Sequence, residues 1–192
     1  MSILADPSKS RTLLFMKVGD HAGEPWEKIL ERKRLEKERA GMIFWGYGGS
    51  ACHPLTQVRP FAKMSLEIGE RPVLVMHRIR SQMDQGMYAA EEYSEDGVNW
   101  KKIPDGIMVT GSRYAMVIDE IVPGDFILDP ADYEVGIGPN RGKRADEYLQ
   151  GRTDKACLLR AAESAPSAAR QIATKTIDFC APLKEPYAVL LR

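Results

Sequence analysis

The sequence is poor in the residues that build disulfide frameworks and metal centres. It has only three cysteines and three histidines in 192 residues. The cysteines, Cys52, Cys157 and Cys180, are odd in number and widely spaced, which argues against a disulfide framework and suits a reducing compartment. Because no Cys-x₂-Cys or His-x₃-His pair occurs, we expect neither a metal site nor a cofactor. We interpret Cys52 and Cys157 as small buried hydrophobic residues.

The sequence also lacks net charge and long apolar runs. Its 27 basic and 27 acidic residues balance to a formal net charge of zero. A general electrostatic attraction to nucleic acid is therefore not expected, and only a local basic patch would supply one. No apolar run approaches the ~18 residues of a membrane span, and no signal sequence opens the chain. We expect a cytoplasmic protein with no membrane partner.

Ordinary hydrophobic content, at 44%, predicts a globular core. Residues 11–20 are predicted to form a strand, and 72–79 a strand buried on both faces, because its apolar run is continuous. Helices are predicted at 23–41, ending at Gly41, and at 60–69. The second half of the first helix is almost wholly charged, which is typical of a solvated surface. Helix 25–40 is also a candidate contact surface for a protein partner.

Short strands separated by turns fill the middle of the chain, beginning at 87–94, and favour a compact antiparallel sheet or barrel. The last quarter predicts helices at 143–163 and 166–179 and a final strand at 186–192. We expect an α+β fold, a small mixed or antiparallel β-barrel with flanking helices and a helical C-terminal addition. The predicted organisation is a disordered tail over 1–10, a barrel core over 11–140, and 141–192 packing on the same domain.

The segment MIFWGYGGSACHP, residues 42–54, is the densest in aromatic and glycine residues. In an extended chain Trp45 and Tyr47 project to one side, with Gly46 leaving the opposite face open and Phe44 turned away. Two aromatic rings on one side can form the wall of a pocket that stacks a planar ligand. The alternative is that the rings belong to the core and the glycines only allow a tight corner.

Polar residues near this segment are candidates for the rim of such a pocket. His53 lies near the end of this segment and Arg59 five residues beyond it, and Trp100 is a further candidate aromatic residue or a plug of the barrel.

A second candidate site is the segment VGIGPNRGKR, residues 135–144. Its glycine and lysine spacing does not match the phosphate loop of nucleoside triphosphatases. Backbone N–H groups and basic side chains can still form an anion site at the start of the following predicted helix. A solvated basic turn is the alternative. The candidate side chains are Arg141, Lys143, Arg144 and Arg152.

The order of these elements resembles the PUA-like superfamily, in particular small barrels of the EVE and ASCH type. The similarity covers about residues 11–130 and consists of TLLFMKVGD, EPWEKIL, FWGYGG, a short helix and GERPVLVMHRI. The usual Gly-Asp before the central strand is Gly69-Glu70 here. The resemblance implies a cleft for a nucleobase, often a modified one, or for a nucleic-acid strand. Trp45 and Tyr47 would line this cleft, with Arg59, His77 or Arg78 nearby.

These observations favour a binding module for a nucleotide, a modified nucleobase or an RNA or DNA strand. One alternative is a small accessory protein of the phage or mobile-element type, which sequesters a nucleotide signal or a host protein. Another is an enzyme acting on nucleotides or nucleic acid. No acid–base pair is marked by its spacing, so we assign no catalytic residue.

Overall fold

The computed structural model describes residues 6–20, 23–80 and 88–192. These residues form an α+β fold built on a ten-stranded, mostly antiparallel sheet. The α-helices are α1 (Trp26–Ala40), α2 (Arg59–Glu67) and α3 (Ala145–Tyr148). The strands are β1 (Thr12–Val18), β2 (Ile43–Tyr47), β3 (Val73–Arg78), β4 (Glu92–Ser94), β5 (Trp100–Lys102), β6 (Tyr114–Ile118), β7 (Val122–Leu128), β8 (Tyr133–Val135), β9 (Lys155–Arg160) and β10 (Lys175–Leu191).

The main path of the sheet runs β2-β6-β10-β3-β1-β9-β8. Strands β1 and β3 are parallel, and the other neighbouring pairs on this path are antiparallel. The long β10 pairs with β7 and β3 along its first part and with β6 and β4 along its second. Within the described residues, β2 and β8 lie at the two ends of the path and do not pair with each other. The sheet therefore does not close, and the prediction of a β-barrel is wrong.

Both faces of β3 are buried, as its continuous apolar run predicted, and both faces of β1 are buried as well. In β1, Leu14 and Met16 join a core that includes residues of α1 and α2, whereas Leu13 and Phe15 face a second core. Alternate side chains of a strand point to opposite faces, so one apolar run supplies both cores.

The first two helices lie close to their predicted positions. Helix α1 ends at Gly41, whose left-handed backbone at φ 72° favours a residue without a Cβ. Trp26 and Ile29, three residues apart, are buried on its inner face. Helix α2, at 59–67, begins one residue before the predicted 60–69, ends two residues before its end, and buries Phe61.

The predicted C-terminal helical addition is wrong in most of its length. Between 143 and 163 only the four residues of α3 are α-helical, and β9 occupies most of the second half. Between 166 and 179 the structure has a short 3₁₀ turn at Ser167–Ala169 and the start of β10. Short apolar runs fit a buried strand as well as a helix, and here pairing of β9 with β1 and of the start of β10 with β7 decided between them.

The predicted final strand at 186–192 lies almost wholly in the second part of β10. Two prolines, Pro182 and Pro186, obscured its continuity, because proline within a strand pattern normally argues against a strand. The strand pairing is irregular between Leu183 and Ala188, where β10 passes from β3 to β6.

Some expectations fall partly outside the described residues. Of the predicted disordered tail over 1–10, residues 1–5 lie outside them, and Pro7–Lys9 form a 3₁₀ turn. Residue 87, the first of a predicted strand, also lies outside. In the described chain, no helix combines the length and the apolar character that crossing a membrane requires.

Candidate functional site

The aromatic pair of β2 lies on one side of the strand, as predicted, and both rings are buried. Trp45 is 7% exposed and Tyr47 is 4% exposed. The Trp45 ring packs edge-on against Trp26 at 5.8 Å, and its Nε1 donates to the Sδ of Met16 at 3.3 Å. The Tyr47 hydroxyl donates to the carbonyl of Cys52 at 2.5 Å. Phe44 points into a different core on the opposite face. The rings are therefore part of the core, whatever else they contact.

The face opposite the two rings is closed at Gly46, so the expectation of an open face there is wrong. A Cβ built on Gly46 would lie 2.6 Å from both the Oγ of Ser112 and a Cγ of Val109. These contacts are shorter than van der Waals distance, so only glycine lets the 109–112 segment approach the strand this closely.

A cavity of about 90 Å³ lies beside Trp45 and Tyr47. This volume is several times the roughly 10–15 Å³ that one water needs, so the space can hold a water cluster or part of a small ligand. The cavity lies between α1, β1, β2, the loop at 108–112 and the start of β9. Its lining consists of Met16, Lys17, Val18, Gly19, Ile29, Arg32, Lys33, Trp45, Gly46, Tyr47, Gly48, Met108, Val109, Thr110, Ser112, Asp154 and Lys155.

The lining is rich in positive charge. Among the lining residues that the structure describes, four are cationic and one, Asp154, is acidic. The cations form two groups on different elements: Arg32 and Lys33 on α1, and Lys17 and Lys155 on β1 and β9.

The α1 cations are held by carboxylates. Lys33 and Glu36 are 4% and 0% exposed, and the Lys33 ammonium donates to both Glu36 oxygens at 2.9 and 3.0 Å. Arg32 bonds both oxygens of Glu24 and one oxygen of Glu36. Burial lowers the pKa of Lys33 to about 8, and the Glu36 carboxylate offsets this only in part. The prediction that the second half of α1 is a solvated surface is therefore wrong for these buried residues.

The strand cations have fewer carboxylate partners. The ammonium of Lys17 donates to the carbonyls of Leu149 and Thr153 at 3.0 and 2.8 Å. Lys155, 4% exposed, donates to Asp154 at 2.5 Å. Burial and the nearby Lys175 lower the pKa of Lys17, against a smaller opposing effect of Asp154.

His53 and Arg59, predicted at the rim, do not line this cavity. The Nδ1 of His53 accepts from the backbone N–H of Leu55 at 3.3 Å, and its ring lies 5.1 Å from that of Tyr114. Arg59 donates to the backbone carbonyl of Glu95. Both side chains have local structural contacts.

The candidates His77, Arg78 and Trp100 also lie away from the cavity lining. The Nδ1 of His77 is 2.8 Å from the carbonyl of Thr176. The Arg78 guanidinium lies 5.8 Å from the centre of the Trp26 ring, the residue that packs on Trp45. Trp100 on β5 is covered by the guanidinium of Arg192, 4.2 Å from the ring centre. The structure does not bring these three residues together with Trp45 and Tyr47.

The side chains of the predicted anion site, within 141–152, belong to a basic surface segment. Arg144 forms a two-pronged ion pair with Asp146, the shorter contact being 2.6 Å, and also bonds the carbonyl of Ala169. Arg141, Lys143 and Arg152 are exposed. The following helix, α3, has four residues, too few for an N-terminal anion site.

The cysteines are buried, which confirms the interpretation of Cys52 and Cys157 as core residues. Their Sγ atoms lie 3.9 Å apart, close to Tyr47. Among the described residues no three His, Cys, Asp or Glu side chains converge to hold a metal ion. His21, another candidate by residue type, lies outside those residues.

Sequence reasoning missed the cations of the cavity. Lys17 follows one buried apolar run, and Lys155 begins another. A single charged residue beside an apolar strand pattern was the signal that could have identified them. Lys33 and Glu36 looked like any surface pair three residues apart on a charged helix.

A scan against models of protein families finds none that matches this chain, and comparisons with curated proteins and with solved structures find no match either. The function must therefore be inferred from the residues themselves.

Proposed function

We propose that the protein binds a nucleotide in the cavity between α1, β1 and β2. The observation that carries this proposal is the composition of the lining, in which two aromatic residues lie beside four cations and one carboxylate. Aromatic surface favours a planar base and cationic groups favour a phosphate, so the combination suits a ligand that has both. A confined cavity also favours a single small ligand over an extended nucleic-acid strand.

Two other depressions of the surface support the choice by contrast. One is lined by residues near Leu66, Arg71 and Tyr187, and the other by residues of 90–92 and 102–107. Both are more open to solvent, and neither has more than one aromatic side chain in its lining. Small-molecule sites normally enclose their ligand, so the cavity beside Trp45 is the better candidate.

The proposed ligand class agrees with what the resemblance to PUA-like domains implies, a cleft for a nucleobase. We extend that resemblance only to the ligand class. The open sheet and the cations of the cavity come from the structure and are not part of the resemblance.

The first test is to identify small molecules released from the purified protein by denaturation, using mass spectrometry, followed by calorimetric titration with nucleotides. Trp45→Ala is not a selective variant, because removing a buried tryptophan costs about 3–5 kcal/mol of stability. Met108 is better, because it lines the cavity and is 49% exposed.

Met108→Glu is expected to weaken nucleotide binding about tenfold, because a carboxylate at the cavity repels the phosphate. Val98→Glu, at a residue 78% exposed and outside the lining, is the matched control and should stay within about twofold of wild type. Equal affinities of Met108→Glu and wild type would place the nucleotide elsewhere.

A further inference from the structure

Lys155 lies on the same face of the sheet as the two aromatic residues of the cavity. In the antiparallel pair of β1 and β9, Lys155 is directly opposite Met16, and residues opposite each other project to the same side. The Sδ of Met16 accepts the hydrogen bond from Trp45. Lys155 is therefore on the Trp45 side of the cavity, the side proposed for a bound base.

Lys17 also lines the cavity, but its ammonium is held elsewhere. Lys17 follows Met16 in β1 and so projects to the opposite face. Its ammonium donates to the carbonyls of Leu149 and Thr153, and Leu149 belongs to the second core. These bonds keep the Lys17 ammonium on the other side of β1 from Trp45.

The cations of α1 have few hydrogen-bond donors left for a ligand. The three N–H donors of Lys33 are all used, two by the Glu36 oxygens and one by the carbonyl of Phe44. Arg32 makes four hydrogen bonds with its five N–H donors, to two carboxylates and a backbone carbonyl. Neither side chain is available to a ligand without the loss of a buried contact.

Lys155 retains donors at a buried position. Its side chain is 6% exposed, so bulk water does not surround the ammonium. Among the described residues the ammonium bonds only Asp154, at 2.5 Å, which leaves two of its three N–H donors without an acceptor. Buried polar groups are normally hydrogen-bonded, so these two donors point to a ligand that accepts hydrogen bonds.

The space next to this ammonium lies at the turn that follows β2. The Nζ of Lys155 is 3.8 Å from the position that a Cβ on Gly49 would occupy, and Gly48 lines the cavity. Two successive glycines place no side chain beside the ammonium, which leaves room there for a ligand group. Gly49 is exposed whereas Trp45 is buried, so this end of the cavity is nearer to solvent than the aromatic end.

The charges around the cavity leave one positive charge unbalanced among the described residues. The four cations of the lining are opposed by three carboxylates, those of Glu24, Glu36 and Asp154. Glu24 and Glu36 pair with the α1 cations, so the excess charge belongs to the strand cations. One excess charge suits a ligand with one anionic group, because a second or third phosphate would find no further unbalanced cation in the described lining.

We propose that Lys155 binds the phosphate of a nucleoside monophosphate at the Gly48–Gly49 end of the cavity, and that further phosphates on the nucleotide add no affinity. This inference rests on the proposed function and adds the number of phosphate groups and the residue that binds them. A phosphate has several acceptor oxygens, so a single group can accept from both free donors of Lys155. Asp154 competes with the phosphate for Lys155 and limits its affinity.

The test is calorimetric titration, without divalent cations, using the four ribonucleosides, their 5′-mono-, di- and triphosphates, and inorganic phosphate. The variants are Lys155→Met, Lys17→Met and Asp154→Asn. Lys101→Met is the matched control, because this exposed lysine pairs with Glu95 outside the cavity. Thermal unfolding of each variant establishes that it is folded.

Wild type is expected to bind its best monophosphate at least about tenfold more tightly than the nucleoside, and the di- and triphosphates no more tightly than the monophosphate. Lys155→Met should weaken the monophosphate by about 10- to 100-fold and leave the nucleoside within about twofold. Lys17→Met should weaken the monophosphate by no more than about threefold, because it removes a charge but no donor on the Trp45 side.

Asp154→Asn should strengthen binding of the monophosphate several-fold, because a competing carboxylate is gone. A gain of affinity is not an effect of a damaged fold, so this variant tests the site even if Lys155→Met does not fold.

Different results overturn different claims. The inference is wrong, while nucleotide binding stands, if nucleosides and monophosphates bind wild type equally or a triphosphate binds about tenfold more tightly than the monophosphate. It is also wrong if Lys17→Met costs as much affinity as Lys155→Met, or if Asp154→Asn weakens the monophosphate. If inorganic phosphate binds through Lys155 but no nucleoside or nucleotide binds better, the anion site stands and the nucleotide proposal fails. If no probe binds wild type, both are wrong.

Discussion

Two charge clusters line the same cavity and differ in their pairing. The α1 cluster consists of Arg32, Lys33, Glu24 and Glu36, and the strand cluster of Lys17, Asp154 and Lys155. Each cluster buries positive charge. The α1 cluster has as many carboxylates as cations, and all three ammonium donors of Lys33 are used. The strand cluster has one carboxylate, Asp154, for two lysines. The comparison shows that residue type alone does not tell whether a buried cation is fully paired, and that its partners in the fold do.

The largest expected effect is on the stability of the protein, when the pairing within the α1 cluster is disrupted. Lys33→Met should lower the free energy of unfolding by about 3–5 kcal/mol, because it leaves the Glu36 carboxylate buried without its closest partner. Urea unfolding measures this loss. The matched control is Lys101→Met, whose exposed pair with Glu95 should contribute no more than about 1 kcal/mol.

The double variant Lys33→Met/Glu36→Leu should recover all but about 1–2 kcal/mol of that loss, because no buried charge is left unpaired. The remainder comes from the hydrogen bonds that Glu36 accepts from Arg32 and from the backbone N–H of Met108, and from the one that Lys33 donates to the carbonyl of Phe44. If the double variant is as unstable as the single one, burial of an unpaired carboxylate is not the cause.

The next effect depends on pH. The pKa of Lys33 is about 8 in the folded protein because of burial, below its ordinary value of 10.5. Between these values the unfolded chain binds more protons at this residue, so its contribution to stability rises with pH from about 8 to 10.5. Below pH 8 the penalty for burying the charge is fully present.

The measurement is urea unfolding of wild type and Lys33→Met at several pH values over that window. The difference between them cancels the titration of groups common to both. We expect the stability of wild type relative to Lys33→Met to increase with pH, and a decrease across the window would contradict the lowered pKa.

The smallest effect is expected at the basic surface segment. Arg141→Ser/Lys143→Ser removes two exposed cations, and should change stability by no more than about 0.5 kcal/mol and phosphate affinity by less than about twofold. Calorimetry with inorganic phosphate checks this. A tenfold loss of affinity would move the anion site from the strand cluster to this segment.

Local signals predicted much of the first half of the chain. Pro25 and Gly41 bound a helix, and β3 lies within the predicted strand at 72–79. The side assignment of Trp45, Tyr47 and Phe44 followed from strand periodicity alone. These features depend on neighbours in the sequence, which is why they were predictable.

The last quarter was not predictable in the same way. The apolar run of β9 and the start of β10 suit either a helix or a strand, and only the presence of β1 and β7 as partners selects a strand. Closure of the sheet depends likewise on which strands lie at its ends. The same holds for the candidate site. The sequence analysis identified Trp45 and Tyr47 as site candidates, but it did not identify Lys17, Lys155 or Asp154.

The sequence by itself determined the early helices, the apolar strands and the common side of the two aromatic residues, because these follow from local propensity and periodicity. Only the tertiary structure decided that Lys17 and Lys155, 138 positions apart in the printed sequence, line one cavity while Lys33 is taken up by Glu36. Partners and burial set the role of a charge, and both depend on residues brought together by the fold.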